Sequence, residues 1–522
     1  MANSVLKKRS IIGKTFQVGF LTGISRVLGL AREILQARFL GVGALSDAFI
    51  IAFKIPNSLR KIFAEGAVSA AFIPAFLELI KEDRKKINSL ISLIFIFFEG
   101  LLILLCLCVF FYTESVISLL ASGFSVEQMS YAVSFLRILM PFIILISSSA
   151  ILGGVLQSVN HFFIPAAGPV ILNIFFIGAL IACVLFNLSV EFLCYAIMIS
   201  GCFLFLLHLA AYFYFNFTFS RVTEDITPYF VRLLIKFFPV MISMSIMEIN
   251  LAIDTWFSSF LQPGSLSLFT YAFRFMHIPL GVFGVAFSTI LLPHFFRVID
   301  YAPKRLNFYF IESLKFVFWV SMPIVIFMSV FSKQIFITTI ALSGKFPLDR
   351  LGEVANLLII FLIGLFFFSF NKILLNIYYA KRDTITPTII SALATISNLI
   401  LNYILVIKFQ NLGLASATVI SGIMQTIILI LILNKKYGIK LYFDRFLKFL
   451  TRYIFQLSVS ILLFSLLYWS VSTCIGFLPQ QFENTLKTTF LFWFWVGPLA
   501  AFIYFFMLKT KKLFGVKLYF LD

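Results

Sequence analysis

Charge is what this sequence has least of. Asp, Glu, Lys and Arg make up only 12% of its 522 residues, about half the share in an average soluble domain. Acid is scarcer than base, with 22 Asp and Glu against 41 Lys and Arg. Such a chain, 61% hydrophobic with a mean hydropathy of +1.04, leaves almost nothing for a soluble domain and reads as an all-α polytopic membrane protein. Histidine and cysteine are equally sparse. The four histidines, His161, His208, His277 and His294, show no metal or triad spacing. The six cysteines, Cys106, Cys108, Cys183, Cys194, Cys202 and Cys474, all lie in apolar segments, where a thiol behaves as a small hydrophobe, and they form no disulfide framework or metal set. A nucleotide loop is also missing: "GKT" at Gly13 to Thr15 ends like one, but Lys8 replaces the earlier glycine and no strand precedes it. No enzyme chemistry and no cofactor are expected, so energy must come from a gradient, the membrane potential or another protein.

What the chain has is long apolar runs. Spans need about 20 apolar residues each, and about fourteen candidates follow one another over 14–40, 44–79, 87–112, 129–158, 162–187, 190–216, 229–261, 265–297, 305–331, 350–380, 385–408, 412–434, 450–474 and 487–509. The basic start, Lys7 to Arg9, leads into a long charged span without a small-residue cleavage site, which argues against a cleavable signal peptide. Net charge is +19, yet the positions argue against nucleic acid. Basic clusters fall at Lys7 to Arg9, Lys81 to Lys86, Arg297 to Arg305, Lys381 to Asp383, Lys435 to Arg452 and Lys509 to Lys517. These are alternate loops plus both ends, the positive-inside pattern that puts both termini in the cytoplasm.

The chain also echoes itself. "KIPN" (Lys54 to Asn57) followed by "FIPAF" (Phe72 to Phe76) is answered by "HIPL" (His277 to Leu280) followed by "LLPHF" (Leu291 to Phe295), at an offset close to 220 residues. Pro165 and Asn173 are answered near that offset by Pro387 and Asn398. Proline removes a backbone hydrogen bond and kinks a helix, so the pairs shape facing cavity walls or serve as local packing bends. Two halves of six spans, 1–222 and 223–440, followed by two extra spans, 441–522, form the simplest arrangement.

Against this apolar background the few interior charges stand out, because each costs roughly 2.5 to 3.5 kcal/mol at bilayer depth even on lenient scales. At about 100° per residue, Asp47, Lys54, Ser58, Lys61 and Glu65 share one helix face, flanked by Asn57 and Arg60. In the first span Arg26 and Arg32 point about 120° apart, suited to two edges of one cavity. Snorkelling or ion pairing with Glu33, Asp47 or Glu65 is the alternative. Arg26, Arg32, Lys54, Arg60, Lys61 and Arg274 outnumber those acids, which favours an anionic ligand, and arginine's planar fork suits phosphate. Elsewhere Glu248 and Asp254 in the seventh span, with Asn398, Asn402 and Thr418, offer oxygens for a monovalent cation, or for ordinary interhelical hydrogen bonds.

The stretch "SRVLGLAREILQARFLGVGALSDAFIIAFKIPNSLRKIFAEGAVSAAFIPAF" (Ser25 to Phe76), with "GVFGVAFSTILLPHF" (Gly281 to Phe295) and "YYAKRDTITP" (Tyr378 to Pro387), resembles the MurJ (MviN) lipid II flippases of bacteria, in the multidrug/oligosaccharidyl-lipid/polysaccharide exporter superfamily. The resemblance implies two six-helix bundles around a central cationic cavity, with the last two helices forming a lipid-tail groove. The cargo it implies is lipid II, an undecaprenyl pyrophosphate carrying the peptidoglycan disaccharide pentapeptide, moved to the outer leaflet by alternating access during cell wall biogenesis. Substrate-binding residues would be Arg26, Arg32, Arg60, Arg274, Asp47, Lys54, Lys61 and Glu65, with Glu33 and His277 gating or sensing pH. His277 stands where relatives commonly carry an acid. Sodium would bind at Asp254, Asn398, Asn402 and Thr418, although Asn402 replaces an acid of the family pattern. Membrane lipid is a partner, cell-wall synthesis proteins are possible ones, and a monomer is expected. Competing readings are a multidrug or polysaccharide-lipid exporter of the same superfamily, a membrane-embedded transferase and a non-transporting cell-wall scaffold.

Overall fold

The chain is seen as a computed structural model that describes residues 8–66, 72–82, 84–301, 305–439 and 443–521. Among the described residues there is no strand. This follows from the environment, because a helix satisfies its backbone polar groups within one segment and hydrocarbon offers them no partner.

Two compact units part after Leu266. The first contains α1 (Lys8–Leu40), α2 (Ala44–Arg60), a π-helical stretch (Lys61–Gly66), α3 (Ile73–Glu82), α4 (Arg84–Phe111), α5 (Thr113–Leu120), α6 (Val126–Leu139), α7 (Phe142–Ser158), α8 (Phe163–Leu185), α9 (Val190–Tyr214) and α10 (Thr227–Ser259). In the second are α11 (Ser265–Pro279), a π-helical stretch (Leu280–Val285), α12 (Ala286–Tyr301), α13 (Leu306–Val330), α14 (Ser332–Thr339), α15 (Leu351–Ala380), α16 (Ile385–Tyr437), α17 (Phe443–Gly476), α18 (Gln480–Thr488) and α19 (Phe492–Thr510). Ten described helical stretches are long and apolar enough to cross a membrane. Interruptions and charges keep α1, α2 to α3 and α11 to α12 out of that set.

Local sequence explains several boundaries. Ser125 and Gln128 form a capping box, each side chain accepting the other's backbone N–H, and so start α6. The eleventh and twelfth spans form one helical hairpin within α16. Gln410 takes φ 48°, and the pairs Asn398–Thr418 and Gln425–Ser391 nest around it. Gly413 is required there, since a Cβ would lie 2.4 Å from the Leu405 carbonyl oxygen.

The seventh span belongs with the first unit. Phe237 of α10 stacks on Phe72 at 5.7 Å and meets Phe98 edge-on at 4.8 Å. At its other end Ser259 Oγ accepts from Gly123 N, and a Cβ on Gly123 would come within 2.6 Å of the Phe260 nitrogen. The compact-unit boundary therefore falls some 40 residues beyond the 222/223 division drawn from the internal echo. The closing helices are fastened to α13: Tyr453 donates to the Trp319 carbonyl, Tyr504 to that of Val320, and Gln456 joins Trp319 Nε1 to the Met507 carbonyl.

The echo is visible in the backbone. The two π-helical stretches start 219 residues apart, each between two prolines, Pro56 and Pro74 in one and Pro279 and Pro293 in the other. Asn160 and Arg382, 222 apart, are both left-handed, with φ 64° and 59°. Each is followed by an N–H reaching five residues back, His161 to Leu156 and Asp383 to Tyr378, which is the helix stop of a Schellman motif.

Candidate functional site

The first unit gathers most of the interior charge. On α1, Arg26 is exposed and Arg32 half-buried. Arg32 pairs with neighbouring Glu33, and its guanidinium lies over the Phe176 ring of α8 at 5.1 Å, a cation–π contact that fixes the group without consuming all its donors. Asn173, one turn earlier on α8, donates to the Ser25 carbonyl at 3.1 Å and anchors α1 there. Glu33 thus acts first as a partner of Arg32.

Of the polar stripe expected on the second span, Lys54, Ser58 and Lys61 face α10. Lys54 donates to the Leu251 carbonyl and the Thr255 hydroxyl. Ser58 donates to one oxygen of Glu248, and Lys61 reaches the other at 3.0 Å. Asp47 is only 2% exposed; it accepts from Gln128 Nε2 at 3.2 Å and from the backbone N–H of Gly264, just beyond α10, at 2.6 Å. That geometry makes Asp47 an anchor of α2 on α6 and the 264 loop. Arg60 donates through Nε to Asn57 at 3.1 Å. The backbone of Glu65 lies in the π-helical stretch, while its side chain lies outside the described residues.

In the second unit Arg274 is half-buried on α11. His277, one turn on, is exposed, donates through Nδ1 to the Phe273 carbonyl at 3.0 Å, and rests on the Phe273 ring at 4.2 Å.

Of the proposed sodium set, Asn398, Asn402 and Thr418 meet in the α16 hairpin. Asn402 donates to Asn398 Oδ1 at 3.0 Å and Asn398 to Thr418 Oγ1 at 3.5 Å. Asn398 Oδ1 and Thr418 Oγ1 are neutral and each accepts from a neighbouring amide, so a cation bound to them would displace those hydrogen bonds. Asp254 lies in the other unit, buried on α10 within the electrostatic reach of the Lys54 ammonium. Among the described residues no three His, Cys, Asp or Glu side chains converge as metal ligands.

Sequence reasoning found the charges but missed several of the groups that hold them. Phe176 is one of 69 phenylalanines, and no local pattern marks it. Gln128 and Gly264, which hold Asp47, carry no mark of that contact in the sequence. Glu248 did stand out, as an acid in an apolar run, but for cation binding; the structure gives it to Lys61 and Ser58.

The family model described as lipid II flippase MurJ matches residues 36–487. The probable lipid II flippase MurJ of Buchnera aphidicola subsp. Acyrthosiphon pisum is 31% identical over 496 residues, covering 91% of this chain and 94% of the relative. That of Rickettsia prowazekii is 32% identical over 419 residues, 78% of this chain and 80% of the relative. Among solved structures, a lipid II flippase MurJ in an inward closed conformation superposes with a TM-score of 0.77 at 27% identity, over 95% of this chain and 99% of that one. An inward-facing multidrug resistance MATE family transporter of the MOP superfamily shares the fold, with a TM-score of 0.67 at 16% identity over 78% of this chain and 93% of that one.

Proposed function

This chain belongs to the lipid II flippase MurJ family, and from that membership we propose that it carries lipid II from the cytoplasmic to the outer leaflet of a bacterial cytoplasmic membrane. The observation that carries the reading is the family match across residues 36–487, which includes the charged second span. The chemistry is consistent with it: a pyrophosphate crossing a low-dielectric layer needs neutralising, and guanidinium groups do this with directed donors. Arg26, Arg32 and Arg60 supply that charge in the first unit and Arg274 in the second. The protein acts as a monomeric transporter with both termini cytoplasmic. Two bundles, divided by the internal echo into 1–222 and 223–440 with α10 of the latter packing on the former, alternate access to the cargo, and helices in 441–522 receive the lipid tail. The membrane potential drives the cycle, since one charge moved through about 100 mV is worth about 2.3 kcal/mol.

The test is replacement. In a bacterium depleted of its own flippase, lipid II should accumulate on the cytoplasmic side, and expression of this chain should restore its appearance outside. Unchanged sidedness with the protein present in the membrane would overturn the reading. An ionophore that collapses the potential at constant ATP should stall the restored flipping.

A further inference from the structure

Two of the cations that the sequence offers to an anionic ligand are held by the protein itself. The Lys54 ammonium is satisfied by the Leu251 carbonyl and by Thr255, whose hydroxyl in turn donates to the same carbonyl at 2.8 Å. The charges within its reach are Asp254, Glu248 and Lys61. Lys61 differs. Among the described residues its ion-pair partner is Glu248, and the pair is asymmetric: the lysine side chain is 38% exposed and the carboxylate 12%. Glu248 is fixed from behind by the Ser58 hydroxyl, so its position does not depend on Lys61. An exposed ammonium on a flexible stem, facing a pre-set carboxylate, is free to exchange partners when a stronger anion arrives.

We propose that Glu248 is a positioning residue that competes with the diphosphate of the cargo for Lys61, and so sets how readily that diphosphate is released. This rests on lipid II being the cargo. On binding, the Lys61 ammonium swings from Glu248 to a diphosphate oxygen, which offers more charge and more acceptors than one carboxylate. On release, Glu248 takes the ammonium back. Without Glu248 the lysine remains an uncompensated cation, the diphosphate is held too tightly, and the cycle slows at release.

The experiment measures lipid II binding and turnover for the full chain in lipid nanodiscs and vesicles. Glu248→Gln should bind lipid II about tenfold more tightly, the size of one charge-assisted hydrogen bond after partial screening, and turn over more slowly. Lys61→Gln should bind more weakly, and the double variant should lose the tightening. Undecaprenyl phosphate, with a single phosphate, should show a smaller change than lipid II. Should Glu248→Gln fail to fold, Lys61→Gln alone decides: binding equal to wild type overturns the proposal. So does a folded Glu248→Gln that binds no more tightly, or a double variant as tight as the single one. Wild-type protein that binds no lipid II overturns the cargo reading along with this one, whereas wild-type binding that is indifferent to both variants overturns this one alone.

Discussion

The second and eighth spans are the same shape carrying different chemistry. Both pass from an α-helix into a π-helical stretch, at Lys61 and at Leu280, matched positions in the chain. The first π-helical stretch reads KIFAEG and follows the charged Asp47, Lys54 and Arg60; the second reads LGVFGV and follows α11, whose ionisable side chains other than tyrosine are Arg274 and His277. π-Helical turns break the regular ladder and recur at functional sites, yet here the break is kept where the charge is not. The repeat thus conserves the bend, and ligand chemistry has been placed mainly on one copy of it.

The sharpest way to break that comparison is to remove charge from the first unit. Arg32→Ala should abolish complementation of a depleted strain while leaving membrane abundance near normal, because it removes one ion pair and one cation–π contact and leaves the apolar side chains of α1 in place. Arg32→Lys should recover only part, restoring charge without the planar fork. His277→Gln, in the eighth span of the second unit, should leave growth nearly unchanged. Equal loss from both would mean that charge is functionally shared between the two copies.

A second test concerns anchoring. Asp47→Asn keeps the shape but replaces a carboxylate that accepts from Gly264 N and Gln128, and should cost about 2 to 3 kcal/mol of stability, the scale of hydrogen bonds to a buried charge. Thermal unfolding in detergent would register it. No carboxylate occupies the corresponding stretch of α11, Leu266 to Thr270, so the first unit alone should show this sensitivity.

How much of this was legible follows from the kind of signal involved. Hydropathy marked the chain as an all-α membrane protein because burying a backbone in hydrocarbon leaves few options. Helical periodicity placed Lys54, Ser58 and Lys61 on one face, and they do share α10 as a neighbour. Periodicity does not say what a face meets, so α10 as the partner, Glu248 as the competitor and the Phe176 platform were beyond it. The π-helical stretches were foreshadowed only by their prolines. The long α16 was read correctly as two spans, although its turn residue, Gln410, carries none of the glycine or asparagine character that usually marks a left-handed bend.

Packing around the second π-helical stretch gives a smaller effect. A Cβ on Gly284 would meet Ser369 Oγ at 2.8 Å and its Cβ at 3.0 Å. Gly284→Val should therefore overpack the contact with α15 and cost about 1 to 3 kcal/mol; Gly284→Ala should cost less, because the Ser369 hydroxyl can rotate away. Equal melting temperatures for Val and wild type would show that the second copy of the bend yields to packing, and that its geometry is not what the repeat preserves.

The smallest effect lies in the matched turns at Asn160 and Arg382, where the backbone repeats and the next side chain does not. His161 in the first turn packs on Phe215 at 4.9 Å. Asp383 in the second is buried and accepts from Lys436 at 2.8 Å, Tyr437 at 2.7 Å and the Thr386 N–H at 3.0 Å. Burial opposes its ionisation, and these hydrogen bonds outweigh burial and hold its carboxyl below the usual carboxylate range. A carboxyl depressed in the folded state contributes stability that is complete above its unfolded value, about 3.9 for aspartate, and is lost as pH falls through that value toward the folded one. Because Lys436 is half-exposed and solvent screens the pair, Asp383→Asn should lower the melting temperature near neutral pH by less than about 2 °C. The gap between wild type and variant should stay constant above about pH 5 and close as pH falls below about 4, following those aspartate limits. A gap that persists at low pH would assign the effect to the neutral hydrogen bonds, and the two turns would then differ in packing rather than in charge.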